Sequence, residues 1–145
     1  MNKIELHAVL PEVFAQRTDI DSEIWQQEVC FERGHLYLIE ADSGTGKSSL
    51  CSYIIGYRHD YRGTIEFDGK NISDLKVMGW VDVRKHSLSH LFQELRLFPE
   101  LTAYENVEIK NKLTGFKTAK QIAEWFEMLG IADKMDAKIG RMSFG

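Results

Sequence analysis

The sequence predicts an α/β fold: a β-rich part carrying one glycine-containing loop, followed by a helical part. Three observations predict it. First, Leu36-Tyr37-Leu38-Ile39-Glu40 reads as a short buried strand, Ala41 to Ser48 as a loop, and Ser49 to Ile55 as a helix ending at Gly56. Second, Ile24 to Phe31 reads as a strand joined to that strand by a tight turn, Glu32-Arg33-Gly34-His35, so an antiparallel β-layer is expected there. Third, the apolar periodicity changes near Gln93, and two helix-capping sequences follow it.

The loop Ala41-Asp42-Ser43-Gly44-Thr45-Gly46-Lys47-Ser48, set between strand and helix, has the context of a phosphate-binding loop. The expected fold class is therefore an incomplete P-loop NTPase core with an antiparallel β-layer and a helical subdomain, an ordinary Gly-Ser-Thr loop being the other reading of this stretch. Gly44 and Gly46 lack a Cβ, so the backbone can approach an anion closely. The N–H groups of the helix start point at that anion, aided by the helix dipole. The binding stretch runs through Asp42, Ser43, Gly44, Thr45, Gly46, Lys47, Ser48 and Ser49. Lys47 reaches the terminal phosphates as a point charge. The Ser48 hydroxyl suits Mg²⁺, a hard cation that keeps few protein ligands. Ala41 stands where the strict pattern has glycine, which requires a negative φ at that residue.

In chain order, Ile4 to Leu10 reads as a first strand closed by Pro11. Val13-Phe14 and a polar loop with a turn at Asp19-Ile20-Asp21 precede the strand from Ile24. After the loop helix, Thr64 to Phe67 alternates as a strand and Asp68-Gly69 turns it. Asn71 to Ser73 opens a further element, and Leu75 to Arg84 fits helix or strand equally by periodicity. Leu88 to Phe92 reads as a short strand. Thr102-Ala103-Tyr104-Glu105 opens a helix through about Leu113, stopped near Thr114-Gly115. Thr118-Ala119-Lys120-Gln121 opens another, with Ile122, Trp125, Phe126 and Leu129 on one face and Gly130 as its stop. The expected division is 1–92, the nucleotide-binding core, and 93–145, the helical subdomain.

The whole chain narrows the function classes. Its 145 residues suffice for one domain with a sizeable core, and 43% hydrophobic content is ordinary for a globular protein. A formal net charge of −4 gives no electrostatic footprint for nucleic acid. No apolar run reaches the length of a membrane span, and the N-terminus lacks the apolar core of a secretory signal. Cys30 and Cys51 read as reduced, buried thiols of a cytosolic protein. The five histidines show no metal-ligand spacing.

Four stretches in one order resemble the ATP-binding subunit of ABC transporters. They are the phosphate loop, the Asp68-Gly69 turn, Phe92-Gln93-Glu94 with Leu97-Phe98-Pro99-Glu100-Leu101-Thr102-Ala103-Tyr104-Glu105-Asn106-Val107, and Met142-Ser143-Phe144-Gly145. The third is similar to the family's glutamine loop and helical-domain entry. The fourth is similar to the start of its signature motif, where the family has Leu-Ser-Gly-Gly-Gln and this chain has Met142 and Phe144 at the first and third positions. The resemblance implies ATP and Mg²⁺ as ligands. It implies catalytic roles for Lys47 and for Gln93, with Ser48 and Gln93 reaching the metal. It implies that Ser143 and Gly145 touch the γ-phosphate of ATP held by a second subunit. It implies an aromatic stacked on adenine upstream of the loop, for which Phe14 is the candidate, a core phenylalanine being the other reading. Partners implied are a separate transmembrane permease and a second ATP-binding subunit, with no nucleic acid. The expected location is cytoplasmic, peripheral on the inner face of the membrane.

The family's second carboxylate motif, catalytic glutamate and switch histidine come after its signature motif. The chain is therefore expected to be an incomplete, N-terminal part of a longer ATPase, able to bind nucleotide, with negligible hydrolysis by residues 1–145 alone. Two alternatives of other kinds stand beside transport: a non-transport ABC-class module in cell division, translation or repair, and an unrelated P-loop kinase.

Overall fold

The computed structural model describes residues 1–94 and 96–143. The chain divides into two compact units, Met1–His90 and Leu91–Gly145.

The first unit is built on a four-stranded antiparallel sheet in the order β2-β1-β3-β4. Strand β1 is Lys3–Pro11, β2 Glu28–Glu32, β3 Tyr61–Phe67 and β4 Lys70–Asn71. Alternation sends Ile4 and Leu6 to one face and leaves Glu5 and His7 on the other. The apolar face carries Leu6, Val9, Leu10, Ile65 and Phe67 into a core shared with Leu50 and Tyr53. Asp68-Gly69 closes the β3–β4 hairpin as a two-residue turn, with φ of 51° and 77°. Helix α1, Lys47–Ile54, buries Leu50 and Tyr53 against this face. Helix α2, Val77–His86, resolves the ambiguous stretch in favour of helix. Its Arg84 donates to the Ile55 carbonyl (Nη2···O 3.0 Å), just past the end of α1. A cation there also suits the negative end of the α1 dipole.

The β1–β3 register shifts between His7 and Leu10, and Ala8 takes φ 48° there. This is a bulge in the central strand. It brings Val9, Leu10 and Pro11 all into buried positions.

On the polar face His7 pairs with Glu28 across the strands (Nδ1···Oε2 2.5 Å), with Glu66 3.8 Å from Nε2. The Glu28 hydrogen bond holds the His7 imidazolium above its ordinary pKa, outweighing desolvation. A raised folded-state value stabilises the fold fully below the unfolded pKa of about 6.5 and is lost as pH rises through the folded value. Both partners are solvent-exposed, so the pair is worth under about 1 kcal/mol. In urea unfolding, the native protein should lose a little stability from pH 6 to 8, and His7→Gln should lack that fall. An identical pH profile in both proteins would remove the pair from the stability account.

The second unit holds α3, Ala103–Thr114, and α4, Ala119–Met128. Both capping boxes form. The Thr102 hydroxyl accepts from Glu105 N–H and the Glu105 carboxylate accepts from Thr102 N–H; Thr118 and Gln121 repeat the arrangement. Gly115 ends α3 at φ 60°. A small core gathers Ala103, Ile122 and Phe126, with Tyr104, Val107, Met135, Ile139 and Met142 against it. The Asn106 side chain brackets the chain before α3. Its Oδ1 accepts from Phe98 N–H (2.8 Å), and its Nδ2 donates to the carbonyls of Phe98 (3.1 Å) and Thr102 (2.9 Å). Asn106→Ala should cost about 1–1.5 kcal/mol, because three backbone groups lose their partner, the Thr102 carbonyl in a part-buried position and the two Phe98 groups in exposed ones. Thermal unfolding checks this, and a loss under 0.5 kcal/mol, roughly the scatter of neutral surface substitutions, would contradict it.

Five expectations fail here. Leu36 to Glu40 is not a strand. Leu36 is 100% and Leu38 82% exposed, and no described strand pairs with them. An apolar run states what a segment would bury, whereas a strand also needs a hydrogen-bonding neighbour. The antiparallel layer is present, but β2 pairs with β1 (Lys3 opposite Glu32, His7 opposite Glu28) and not with that run. The second strand is also shorter than expected. The Ser22 hydroxyl accepts from the N–H groups of Ile24 (3.1 Å) and Trp25 (3.0 Å), and Gln26 takes φ 62°, so Ile24 to Gln27 is a turn. Leu88 to Phe92 forms no strand; Leu88 N–H goes to Val83 O (2.9 Å), in the last turn of α2. Cys30 and Cys51 are free but exposed, Cys30 lying on the polar face of β2. The four apolar residues of α4 that share a face are not equally covered: Ile122 and Phe126 are buried, and Trp125 and Leu129 are 40% and 73% exposed. The apolar face of α4 is longer than the small core it meets.

Candidate functional site

The site grows from the start of α1. Its N-cap is Gly46, at φ 99° and ψ 11°, and no side chain caps the helix. The first N–H groups of α1 are thus left to whatever lies beyond the loop. Gly44 takes φ 82°, with open space where a Cβ would stand. Positive φ outside glycine occurs at Ala8, Gln26 and Asp68, and Ala41 is not among them, which meets the condition for alanine there. The loop is braced from within: Thr45 Oγ1 donates to Asp42 O at 2.8 Å.

Lys47 folds back over the loop. Its ammonium donates to Ala41 O and, at 2.7 Å, to Asp42 O. Those carbonyls compete with an anion for the same charge, and a phosphate offers the stronger charge-assisted bonds. Ser48 is exposed, with its backbone carbonyl accepting from Ser52 Oγ at 2.8 Å. The Ser49 hydroxyl accepts from Arg58 Nη1 at 3.0 Å. Asp42 and Ser43 are exposed on the loop.

A cavity of about 600 Å³ adjoins the loop, lined by Ala41, Thr45 and Lys47 together with Phe14, Ile20 and Ile24. Phe14 is 8% exposed and belongs to the core, with the Arg17 guanidinium 5.0 Å from its ring centroid. Trp25, which the sequence reading assigned only to a strand, belongs here. It is 7% exposed and its indole N–H donates to Thr45 O at 2.8 Å. A Cβ on Gly46 would stand 2.9 Å from Trp25 Cζ2 and 3.2 Å from Phe14 Cε2. The loop therefore rests on two aromatic rings. No spacing rule pointed to Trp25, because the contact spans 20 residues.

A phosphate group fits this arrangement: a glycine cradle, uncapped helix N–H groups and one reachable ammonium. For Mg²⁺ the fit rests on the Ser48 hydroxyl together with the phosphates themselves. Among the described residues no group of three or more His, Cys, Asp or Glu side chains could hold a metal by itself.

Gln93 and Ser143 lie in the second unit, both exposed. Met142, before Ser143, packs on the small core of that unit. Gly145 falls outside the described residues. The loop residues and the cavity thus belong to one unit, and Gln93 and Ser143 to the other.

The family model described as ABC transporter matches residues 26–145. The chain is 32% identical over 136 residues to the glutamate transport ATP-binding protein GluA of Corynebacterium glutamicum, covering 91% of this chain and 52% of that protein. It is 32% identical over 129 residues to the molybdenum import ATP-binding protein ModC of Methylococcus capsulatus, covering 89% of this chain and 34% of that one. It is 33% identical over 97 residues to the ABC transporter ATP-binding protein YtrE of Bacillus subtilis, covering 67% and 42%. The chain thus spans between about a third and half of the length of these relatives. The fold matches the dimeric structure of the bacterial ABC transporter cassette MJ0796, with a TM-score of 0.66 at 21% identity over 97% of this chain and 63% of that one. The family model covers most of the residues and the relatives are ATP-binding proteins of transporters, so the chain belongs to the ABC transporter family.

Proposed function

We propose that this chain is the nucleotide-holding part of an ATPase subunit that drives an ABC transporter. One observation carries the reading: the Gly44 to Ser48 backbone opens an uncapped helix start beside the Lys47 ammonium, a cradle shaped for the phosphates of a nucleotide. In it the loop N–H groups hold the β- and γ-phosphates and Lys47 leaves the Ala41 and Asp42 carbonyls to join them. The Ser48 hydroxyl would hold Mg²⁺, which would supply charge neutralisation at the phosphates. Gln93 orients water and reads the nucleotide state for the helical unit; an amide both accepts and donates, as that role needs. Ser143 and Gly145 present small residues to the ATP of a second subunit. Phe14 lines the same cavity from the core, against Gly46, and is the candidate aromatic for contact with the base.

The partners that follow are a second copy of the cassette and a separate membrane-embedded permease. No helix among the described residues is long and apolar enough to cross a membrane. The subunit then sits on the inner face of the membrane. The names of the relatives, glutamate transport and molybdenum import among them, support the transport reading over a mechanical or repair module. Calorimetric titration with ATP and Mg²⁺ tests the core of the proposal. ATP should bind and AMP should not, since the cradle recognises the outer phosphates. Equal heats for the two would reject it.

A further inference from the structure

We propose that Trp25 is a positioning residue of the phosphate site, fixing the direction in which the loop presents its N–H groups. The argument starts from the peptide bond between Thr45 and Gly46. A trans peptide is planar, so its C=O and N–H point in opposite directions. The indole N–H of Trp25 holds the Thr45 carbonyl at 2.8 Å. Holding that oxygen towards Trp25 turns the Gly46 N–H away from it. Trp25 is buried among Phe14, Leu50 and the sheet residues, so this bond draws on the rigid core of the unit and not on the loop.

The ring adds a second constraint. With Trp25 Cζ2 and Phe14 Cε2 so close to the Cβ direction of Gly46, the loop cannot sink towards the core. One side chain thus sets both the tilt of a phosphate-facing peptide and its depth. In turn Ser22 fixes Trp25, since its hydroxyl accepts the Trp25 backbone N–H at 3.0 Å. The ligand served is the outer phosphates of a nucleotide, so the inference rests on the nucleotide reading above.

Trp25→Phe keeps a ring of similar shape and removes the donor. In the intact protein without nucleotide, the Leu50 amide, which donates to the Gly46 carbonyl at 2.9 Å in the first turn of α1, should exchange with solvent about five-fold faster, the effect of losing one hydrogen bond that anchors that turn. ATP affinity should fall by about the same factor, with the melting curve of the rest of the fold little changed. Unchanged exchange and unchanged affinity would overturn the role. If the variant does not fold, the unsubstituted protein carries the test through the indole N–H resonances of its three tryptophans, assigned with Trp80→Phe and Trp125→Phe. The Trp25 indole proton should be protected from exchange and should shift on adding ATP; an unprotected proton that ignores ATP refutes the proposal. A native protein that binds no ATP overturns the nucleotide reading alone, since the exchange comparison is made without nucleotide and still decides Trp25.

Discussion

In the full-length ATPase subunit, Lys47→Ala should abolish ATP hydrolysis and weaken ATP binding by roughly ten- to a hundred-fold, the worth of a charged hydrogen-bonding group. The Lys47 ammonium is exposed and held by the loop carbonyls of Ala41 and Asp42, so its loss leaves no buried partner unsatisfied. The fold should therefore be untouched, and the melting temperature should stay within about a degree. That separation is what makes the variant informative. Transition-state charge on a transferring phosphoryl group depends on such fixed cations, whose removal typically costs about 10²-fold or more in rate. Phosphate release at saturating ATP measures the rate and calorimetry the affinity. Hydrolysis at the native rate would sink the ATPase assignment, whatever the family.

Gly63→Ala should produce the largest loss of stability of any single methyl added to the sheet. Gly63 takes φ 85°, and a Cβ there would stand 2.5 Å from the carbonyl oxygens of both His7 and Ala8. Those atoms are backbone of the central strand, so no rotamer change relieves the overlap. The left-handed conformation alone costs an alanine about 1–2 kcal/mol. Shifting the β1 bulge adds to it, for about 3 kcal/mol in all. In a unit of this size that lowers the melting temperature by about 10 °C or more. Differential scanning calorimetry reads it directly, and a fall of less than about 3 °C would show that the bulge is soft. Because β1 also carries Leu6 and Val9 into the core beneath α1, nucleotide affinity should drop with stability here, unlike in Lys47→Ala.

Several features could be read from residue order because their causes are local. Thr102 with Glu105, and Thr118 with Gln121, each satisfy helix-end N–H groups within one turn, so the caps are visible in four letters. Asp68-Gly69 supplies the two positive φ values of its hairpin by itself. The phosphate loop is equally local: Gly44, Gly46 and Lys47 need only the helix that follows them. Asn106 is an instructive middle case. Its register with Phe98 suggested a family motif, and the structure gives it a structural task as well, holding the Phe98 backbone from both sides.

What resisted reading depends on partners distant in sequence. Leu36 to Ile39 has the composition of a buried strand, yet composition does not create the neighbour that would pair with it. Cys30 stands in an apolar-looking stretch, but the pairing of β2 with β1 turns it to the polar face opposite Glu5. Trp25 looked like one more strand residue until the Ser22 turn removed it from the strand and set it under Thr45.

The line between the two follows from range. Residue order alone determined the capped helices, the hairpin turn and the left-handed Gly44 and Gly46, because each rests on φ preferences and hydrogen bonds that close within a few residues, and its motifs carried the family. Tertiary structure decided which strands pair, where the β1 bulge falls and which aromatic rings support Gly46. Those depend on hydrogen bonds and packing across tens of residues, whose formation requires the whole core to close at once.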